Sequence, residues 1–173
     1  MSYFIIIRGP LGIGKSSVAK ELSEILNAEY ISIDSIIEEL GLDKVPETEE
    51  CIPAKNFIKA EEYVLLKVKK RLDDGKIIVF DGNFYHKEQI EHLLNNLWDY
   101  EHYIFTLKAS LKVCIERDKQ RTKLYGILAA TAVHNLVSRF DYGIIINTEN
   151  KNLLQVVEEI LSYLPKPMRT KKL

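Results

Sequence analysis

Short apolar runs alternate along this chain with stretches in which apolar residues recur at helical spacing. Runs rich in branched side chains predict buried strands at residues 3–7, 29–33, 77–80, 103–107 and 144–146. Apolar residues three and four positions apart predict helices at 16–26, 35–40, 56–72, 88–98, 111–120, 126–140 and 153–164. Trp98 is expected in the core beside the leucines of its helix. Because no hairpin signal joins consecutive strands, the pattern predicts an α/β fold in which helices cover both faces of a parallel sheet.

Polar residues follow several of these strands where each apolar run ends. A glycine-rich segment follows the first strand, and Asp34, Asp81 and Asn147 follow the second, third and fifth. Right-handed crossovers bring the carboxyl ends of parallel strands to one edge of the sheet, where ligands bind in such folds. We therefore expect these segments to lie close together, although they are far apart in sequence.

The segment at residues 9–17, GPLGIGKSS, fits the P-loop pattern G-x-x-x-x-G-K-[ST] between a strand and a helix. Its glycines allow a tight turn that brings backbone N–H groups to phosphate oxygens, and the next helix begins there with its positive dipole end. The lysine is expected near the β- and γ-phosphates, and the first serine on Mg²⁺. The pattern thus predicts a nucleotide site formed by Gly9, Gly12, Ile13, Gly14, Lys15, Ser16 and Ser17.

Asp34 is the first candidate for catalysis. A kinase holds an acceptor hydroxyl in line with the γ-phosphate, and a carboxylate that orients or deprotonates that hydroxyl is the usual device. The end of the second strand would bring this carboxylate near the P-loop. The alternative interpretation is that Asp34 caps the short helix that follows, because aspartate is a good N-cap residue.

Asp81 ends the strongest apolar run of the chain. In P-loop proteins an acidic residue at such a strand end binds Mg²⁺, often through water. Asp81 and Asn83 alternatively contact the acceptor substrate, or Asp81-Gly82-Asn83 is simply a turn. The sequence leaves these interpretations open.

Three of the six arginines, Arg117, Arg121 and Arg139, fall between residues 117 and 139. The functional interpretation is a lid at approximately residues 117–126, because guanidinium groups stabilise the charge that spreads over a transferring phosphoryl group. Arg121 is the better candidate for the phosphates, whereas Arg117 either contacts the phosphates or stacks on adenine. The mixed charges around them are also typical of a solvated helix end.

Length and composition fit one domain at residues 1–164, followed by a basic tail at 165–173. The net charge of −1 gives no reason to expect nucleic acid, and only the tail leaves such a partner open. Cys51 and Cys114 lack the spacing of a metal or redox pair, which predicts a reducing, cytoplasmic location. No apolar run has the length of a membrane span, and the first strand begins too early for a leader segment.

These motifs together resemble the small P-loop kinases of the nucleoside-monophosphate-kinase-like group, over about residues 1–164. The most similar branches phosphorylate a hydroxyl: shikimate-kinase-like, gluconate-kinase-like, chloramphenicol-phosphotransferase-like and polynucleotide-kinase-like proteins. The likeness rests on the P-loop, Asp34, the sequence DGNF at 81–84, the sequence CIERDKQR at 114–121, and INT at 146–148. It implies a three-layer P-loop NTPase fold with strand order 2-3-1-4-5, ATP as the nucleotide, and Asn147 and Thr148 near adenine.

The resemblance implies an ATP- and Mg²⁺-dependent phosphotransferase with Lys15, Asp34, Arg117 and Arg121 as catalytic residues. The acceptor is expected to be a hydroxyl of a small molecule. The arginines that would bind a nucleoside monophosphate are absent, since residues 35–51 contain none. Two alternatives stay open: a 5′-hydroxyl kinase of nucleosides or nucleic acid, and a nucleotide-binding ATPase or switch without a phosphoryl acceptor.

Overall fold

A computed structural model describes residues 2–120 and 125–165. Within them the elements are β1 (Tyr3–Arg8), α1 (Lys15–Leu26), β2 (Glu29–Ser32), α2 (Ile33–Glu39), α3 (Ala54–Asp73), β3 (Ile78–Gly82), α4 (Lys87–Asn96), β4 (Glu101–Lys108), α5 (Leu111–Asp118), α6 (Ile127–Val137), β5 (Ile144–Asn147) and α7 (Leu153–Tyr163). Arg121 and, apart from Pro165, the predicted basic tail lie outside the described residues.

The strands form one sheet in which every neighbouring pair is parallel. Its order is β2-β3-β1-β4-β5, so that β1 lies at the centre. In register, Ile6 pairs with Phe80 on one side and with Ile104 on the other. The predicted fold class and strand order are therefore confirmed. The P-loop and the segments after β2, β3 and β5 all leave the sheet at its carboxyl edge.

Apolar clusters cover both faces of the sheet. Phe4 and Ile6 of β1 belong to the cluster formed with α2, α3 and α4, whereas Ile5 and Ile7 belong to the cluster formed with α1 and α7. Because each face is buried, the central strands are continuous apolar runs instead of alternating ones. Cys114 lies in the second cluster as expected, and both cysteines are free thiols.

The prediction of Trp98 as a core residue is wrong. Helix α4 ends at Asn96, and the Trp98 side chain is 76% exposed. The leucine spacing continues through Leu97, which is buried, but the chain has already left the helix there. None of the helices in the described ranges is long and apolar enough to cross a membrane.

Arg8, the last residue of β1, is a fully buried charge directly before the P-loop. Its guanidinium donates hydrogen bonds of 3.0–3.2 Å to the carbonyls of Phe84, Val137 and Phe140 and to the hydroxyl of Thr106. It also stacks on the Phe140 ring, with Cζ 4.4 Å from the ring centroid. Burial lowers the pKa of Arg8 to about 10, so the group stays charged at neutral pH. One side chain thus ties β1 to β4, to the loop after β3 and to the end of α6.

We expect Arg8→Met to lower the free energy of unfolding by about 3 kcal/mol or more, because several buried acceptors lose their donor at once. Arg71→Met is the matched control, since Arg71 pairs with Glu29 at the surface, where such pairs contribute about 0–1 kcal/mol. Urea unfolding followed by circular dichroism measures both variants. Equal losses would contradict the role assigned to Arg8.

A second buried polar group lies between α3 and α4. Glu61 is fully buried, and its Oε2 lies 2.7 Å from Nδ1 of His92. Burial raises the pKa of Glu61 to about 7. The hydrogen bond with Glu61 raises the pKa of His92. The folded pair therefore retains a proton at a pH where both side chains have released theirs in the unfolded chain.

This pair predicts a pH dependence of stability. The folded state binds more protons than the unfolded state, so the free energy of unfolding should fall as the pH rises from about 6 to about 8. Glu61→Gln removes the titrating carboxyl and should flatten that slope, whereas Glu88→Gln, at an exposed position of α4, should leave it unchanged. Urea titrations at several pH values measure the slope. An identical slope in the wild type and Glu61→Gln would show that the pair does not titrate in this way.

Candidate functional site

The P-loop joins β1 to α1 and borders a cavity of about 190 Å³, called here the P-loop cavity, which is lined by Gly12, Gly14, Lys15, Ser16, Ser17 and Arg117. Gly14, at φ +99°, is the N-cap of α1, and no side chain caps this helix end. The first backbone N–H groups of α1 are therefore available to phosphate oxygens at the positive end of the helix dipole. Gly12, at φ +78°, packs against α5, where an added Cβ would lie 2.1 Å from the carbonyl oxygen of Cys114.

Lys15 and Asp34 meet beside the P-loop. The lysine side chain is only 5% exposed, and its Nζ lies 3.8 Å from Oδ2 of Asp34, whose side chain is 27% exposed. The backbone N–H of Asn83 donates to Oδ1 of Asp34 over 3.3 Å. Burial raises the pKa of Asp34, and the nearby charge of Lys15 partly opposes this shift. The arrangement joins a carboxylate of raised basicity to the phosphate-binding lysine.

Asp34 is not the helix cap that the alternative interpretation expected. Strand β2 ends at Ser32, whose side chain accepts from the backbone N–H of Ser35 and begins α2. Asp34 therefore lies in the first turn of α2 and not at the end of the strand. A serine cap two residues earlier ends the strand sooner than its apolar run predicts, and it leaves the Asp34 carboxylate free for other contacts.

Asp81 lies inside β3, in register with Ile7 and Ser32, so the interpretation of residues 81–83 as a turn is wrong. Its side chain is 1% exposed, and Oδ2 accepts a 2.7 Å hydrogen bond from the Tyr30 hydroxyl. Tyr30 and Ser16 line the same cavity. The Oδ1 atom of Asp81 has no hydrogen-bond partner among the described residues. Burial and the Asp81 charge raise the pKa of Tyr30, which stays a protonated donor.

Arg117 lies between the P-loop and the loop after β5. Its guanidinium donates to the carbonyl oxygens of Ile13 and Thr148, at 3.2 and 2.8 Å, and to the Thr148 hydroxyl at 3.0 Å. It lines the P-loop cavity and also an adjoining cavity of about 300 Å³, called here the Thr148 cavity, which Val18 and Leu153 border. Ile13 accepts a hydrogen bond from Arg117 through its carbonyl oxygen and lines the Thr148 cavity. Neither Ile13 nor Gly9 lines the P-loop cavity.

The remaining predicted residues lie apart from these cavities or beyond the described ranges. Asn147 ends β5 with an exposed side chain, whose Oδ1 accepts from the backbone N–H of Glu149 over 2.9 Å, and it does not line the Thr148 cavity. Arg139 forms an exposed ion pair of 2.8 Å with Glu50. Arg121 lies outside the described residues.

A further cavity of about 290 Å³, called here the Asp34 cavity, opens beside Asp34. Its walls include Phe57, Tyr85 and Tyr125 together with Asn83 and Asp43. An adjoining cavity of about 280 Å³ shares Asp34 and is also lined by Lys15, Ser16 and Tyr30. Asp34 is therefore common to the space beside the phosphate-binding lysine and to an adjoining space of mixed apolar, aromatic and acidic lining.

Several residues of this site are missing from the sequence prediction. Tyr30, Asp43, Phe57 and Tyr85 come from β2, the loop after α2, α3 and the loop after β3, and no spacing relates them. A signal existed only for Tyr85, which follows the segment 81–84 that the prediction had selected. The order of the strands in the sheet brings these residues together, and the local sequence does not reveal that proximity.

A family model described as "AAA domain" matches residues 4–139, most of this chain. The chain belongs to this AAA-domain family. Membership implies a P-loop that binds a nucleotide, in agreement with the loop geometry and with the sequence prediction.

Individual relatives agree with this placement. Thymidylate kinase of Bacillus velezensis is 33% identical over 91 residues, which span 45% of this chain and less than half, 43%, of that protein. Shikimate kinase of Actinobacillus succinogenes is 28% identical over 130 residues, which span 75% of this chain and 72% of that protein. The structure of a gluconokinase from Sinorhizobium meliloti superposes with a TM-score of 0.64 at 17% identity, covering 92% of this chain and 90% of that one. This last likeness shows the fold alone, and together these matches confirm the resemblance to small P-loop kinases.

We expect Gly12→Ala to damage the P-loop more than Gly41→Ala damages the turn after α2. Both glycines have positive φ, +78° and +66°, so both substitutions cost about 1–2 kcal/mol of backbone strain. Only at Gly12 does the new Cβ collide with the backbone of α5, since nothing lies within 4 Å at Gly41. Thermal unfolding with and without MgADP should show a larger loss of Tm and weaker stabilisation by nucleotide for Gly12→Ala. Equal behaviour of the two variants would refute the packing argument.

Proposed function

We propose that this protein is a kinase that uses ATP and Mg²⁺ to phosphorylate a hydroxyl group of a small molecule. The observation that carries the proposal is the position of Asp34. Its Oδ2 lies 3.8 Å from Nζ of the P-loop lysine, and the same residue lines the Asp34 cavity of about 290 Å³. A carboxylate between the phosphates and the acceptor is a usual device for phosphoryl transfer to an alcohol.

In the proposed reaction the acceptor hydroxyl oxygen forms a bond to the γ-phosphorus, while the bond between that phosphorus and the β,γ-bridging oxygen breaks. The hydroxyl proton passes to Asp34, and ADP is the leaving group. Burial raises the pKa of Asp34, which makes its carboxylate a stronger base, and the charge of Lys15 opposes part of that rise. Lys15 and the first N–H groups of α1 stabilise the charge on the transferring group.

Ser16 and Asp81 are the residues that we propose for Mg²⁺. The Tyr30 hydroxyl binds Asp81 and lines the same cavity as Ser16, and Asp81 keeps one buried oxygen without a donor among the described residues. Such an oxygen suits a cation or a metal-bound water. When bound with the nucleotide, the ion neutralises charge on the β- and γ-oxygens. The described ranges hold no cluster of three histidine, cysteine or acidic ligands, consistent with an ion held largely by phosphate and water.

The Thr148 cavity is proposed to receive the nucleoside part of ATP. Arg117 would connect it to the phosphates, because it lines both this cavity and the P-loop cavity. Its bonds to Ile13 and Thr148 keep the guanidinium in that position. Arg121 stays a proposed contact for the γ-phosphate in a lid at 117–126, and Asn147 is proposed only to shape the turn after β5.

A small-molecule acceptor fits this site better than nucleic acid does. Of the described residues that line the Asp34 cavity, none is a lysine, arginine or histidine, whereas a nucleic-acid groove requires basic residues along the phosphate backbone. Relatives named shikimate kinase and gluconokinase are in line with a small acceptor.

We expect ADP formation from ATP and Mg²⁺ to rise strongly when one pool of hydroxyl compounds is added. Lys15→Ala and Asp34→Asn should each lower kcat/KM for that pool by about a hundredfold or more, because both act on the transferring group. Lys70→Ala and Asp74→Asn, at exposed positions near the end of α3, are the matched controls. A coupled spectrophotometric assay gives the rates.

The kinase proposal would be contradicted if ADP formed slowly, if no pool of hydroxyl compounds raised that rate, and if Asp34→Asn left it unchanged. That outcome would leave a nucleotide-binding ATPase or switch as the better interpretation. If Lys15→Ala alone then lost nucleotide binding, the assignment of the P-loop would still stand.

A further inference from the structure

The Asp34 cavity has acidic residues in its walls, and the inference drawn from them rests on the proposed function. Asp34, Glu38 and Asp43 all line it, and the described lining residues include no cation. Lys15 pairs with Asp34 from the neighbouring cavity and is engaged with the phosphate side. Carboxylates along the wall repel an anionic acceptor and favour a cationic one.

The aromatic residues of the cavity also favour a cationic acceptor. Phe57 and Tyr85 form an edge-to-face pair with ring centroids 5.2 Å apart, and Tyr125 lines the same space. Aromatic faces attract ammonium groups through their quadrupole, most strongly where water is excluded. Phe57 and Tyr85 are 1% and 7% exposed, whereas Tyr125 is 36% exposed and has the most ring surface open to a ligand.

An independent observation comes from Asn83. Asn83 lines the cavity and is only 9% exposed, and its enclosed Oδ1 accepts no hydrogen bond from any described residue. A buried amide oxygen in this state lacks a donor, and the residue that carries it borders the cavity. Its backbone N–H already binds Asp34, which fixes the residue beside the proposed base.

From these observations we infer that the phosphoryl acceptor is a small alcohol that also carries an ammonium group, such as an amino sugar or an amino alcohol. Asp34 accepts the proton of the hydroxyl group. Asp43, Asn83 and the aromatic side chains of the cavity bind the ammonium group. Asp43 is exposed and has no partner among the described residues, so its carboxylate is open to a ligand. The cavity volume of about 290 Å³ suits a molecule of this size.

The test compares three hydroxyl compounds of one skeleton: glucosamine, glucose and gluconate, which differ in charge. A second set contains ethanolamine, ethylene glycol and glycolate. Calorimetry in the presence of MgADP measures binding, and the coupled assay with ATP measures kcat/KM. In at least one set we expect the amine to bind and react about tenfold or more better than its neutral partner, and the acid to be the poorest.

Asp43→Asn should reduce the preference for the amine over the neutral compound by about tenfold, mostly through the KM of the amine. Asp99→Asn, at an exposed position between α4 and β4, is the control and should leave the preference intact. Because Asp43 is exposed, its substitution is not expected to disturb folding.

Binding and turnover separate the two proposals. Preferential amine binding that depends on Asp43, without phosphoryl transfer, would support the inference about charge while rejecting the kinase. Turnover of the neutral or acidic compound at least as efficient as turnover of the amine would support the kinase and overturn the inference. Equal or absent binding of all six compounds would overturn the inference as well.

Discussion

The edge of the sheet that carries the candidate site depends on a buried guanidinium. Arg8 ends the central strand, and its bonds to Phe84 and Val137 reach the loop after β3 and the end of α6. No carboxylate of the described residues bonds to it, so three carbonyls, the Thr106 hydroxyl and the Phe140 ring offset the cost of burying the charge. Displacing either segment would leave a charge unsatisfied in the core. The P-loop, Asn83 and the wall formed by α6 are therefore held as one unit.

Much of the fold could be predicted because its signals are local. A buried central strand is an uninterrupted apolar run, and a P-loop is a contiguous segment in which glycines, Lys15 and Ser16 follow each other. Predictions were weaker at element ends, where one contact decides the outcome. The hydroxyl of Ser32 begins α2 before the apolar run ends, and pairing with β1 keeps Asp81 within its strand.

The residues that line the proposed acceptor cavity could not be predicted in the same way, because only the order of the strands brings them together. Asp34, Phe57 and Asn83 belong to three segments that meet only through the order of the parallel strands. The absence of arginine after Asp34 was visible in the sequence and argued against a nucleoside monophosphate. The structure adds that carboxylates and aromatic rings line the cavity. It therefore shows which side chains surround the acceptor space, where the sequence showed only which ones are absent.

In the proposed reaction the γ-phosphoryl group passes from ATP at the P-loop to an alcohol beside Asp34. Phosphorus-31 NMR of the wild-type protein with ATP, Mg²⁺ and a mixture of hydroxyl compounds follows that group directly. We expect a new phosphomonoester resonance that grows in step with ADP. Inorganic phosphate as the sole product beside ADP would contradict it, because water would then be the acceptor.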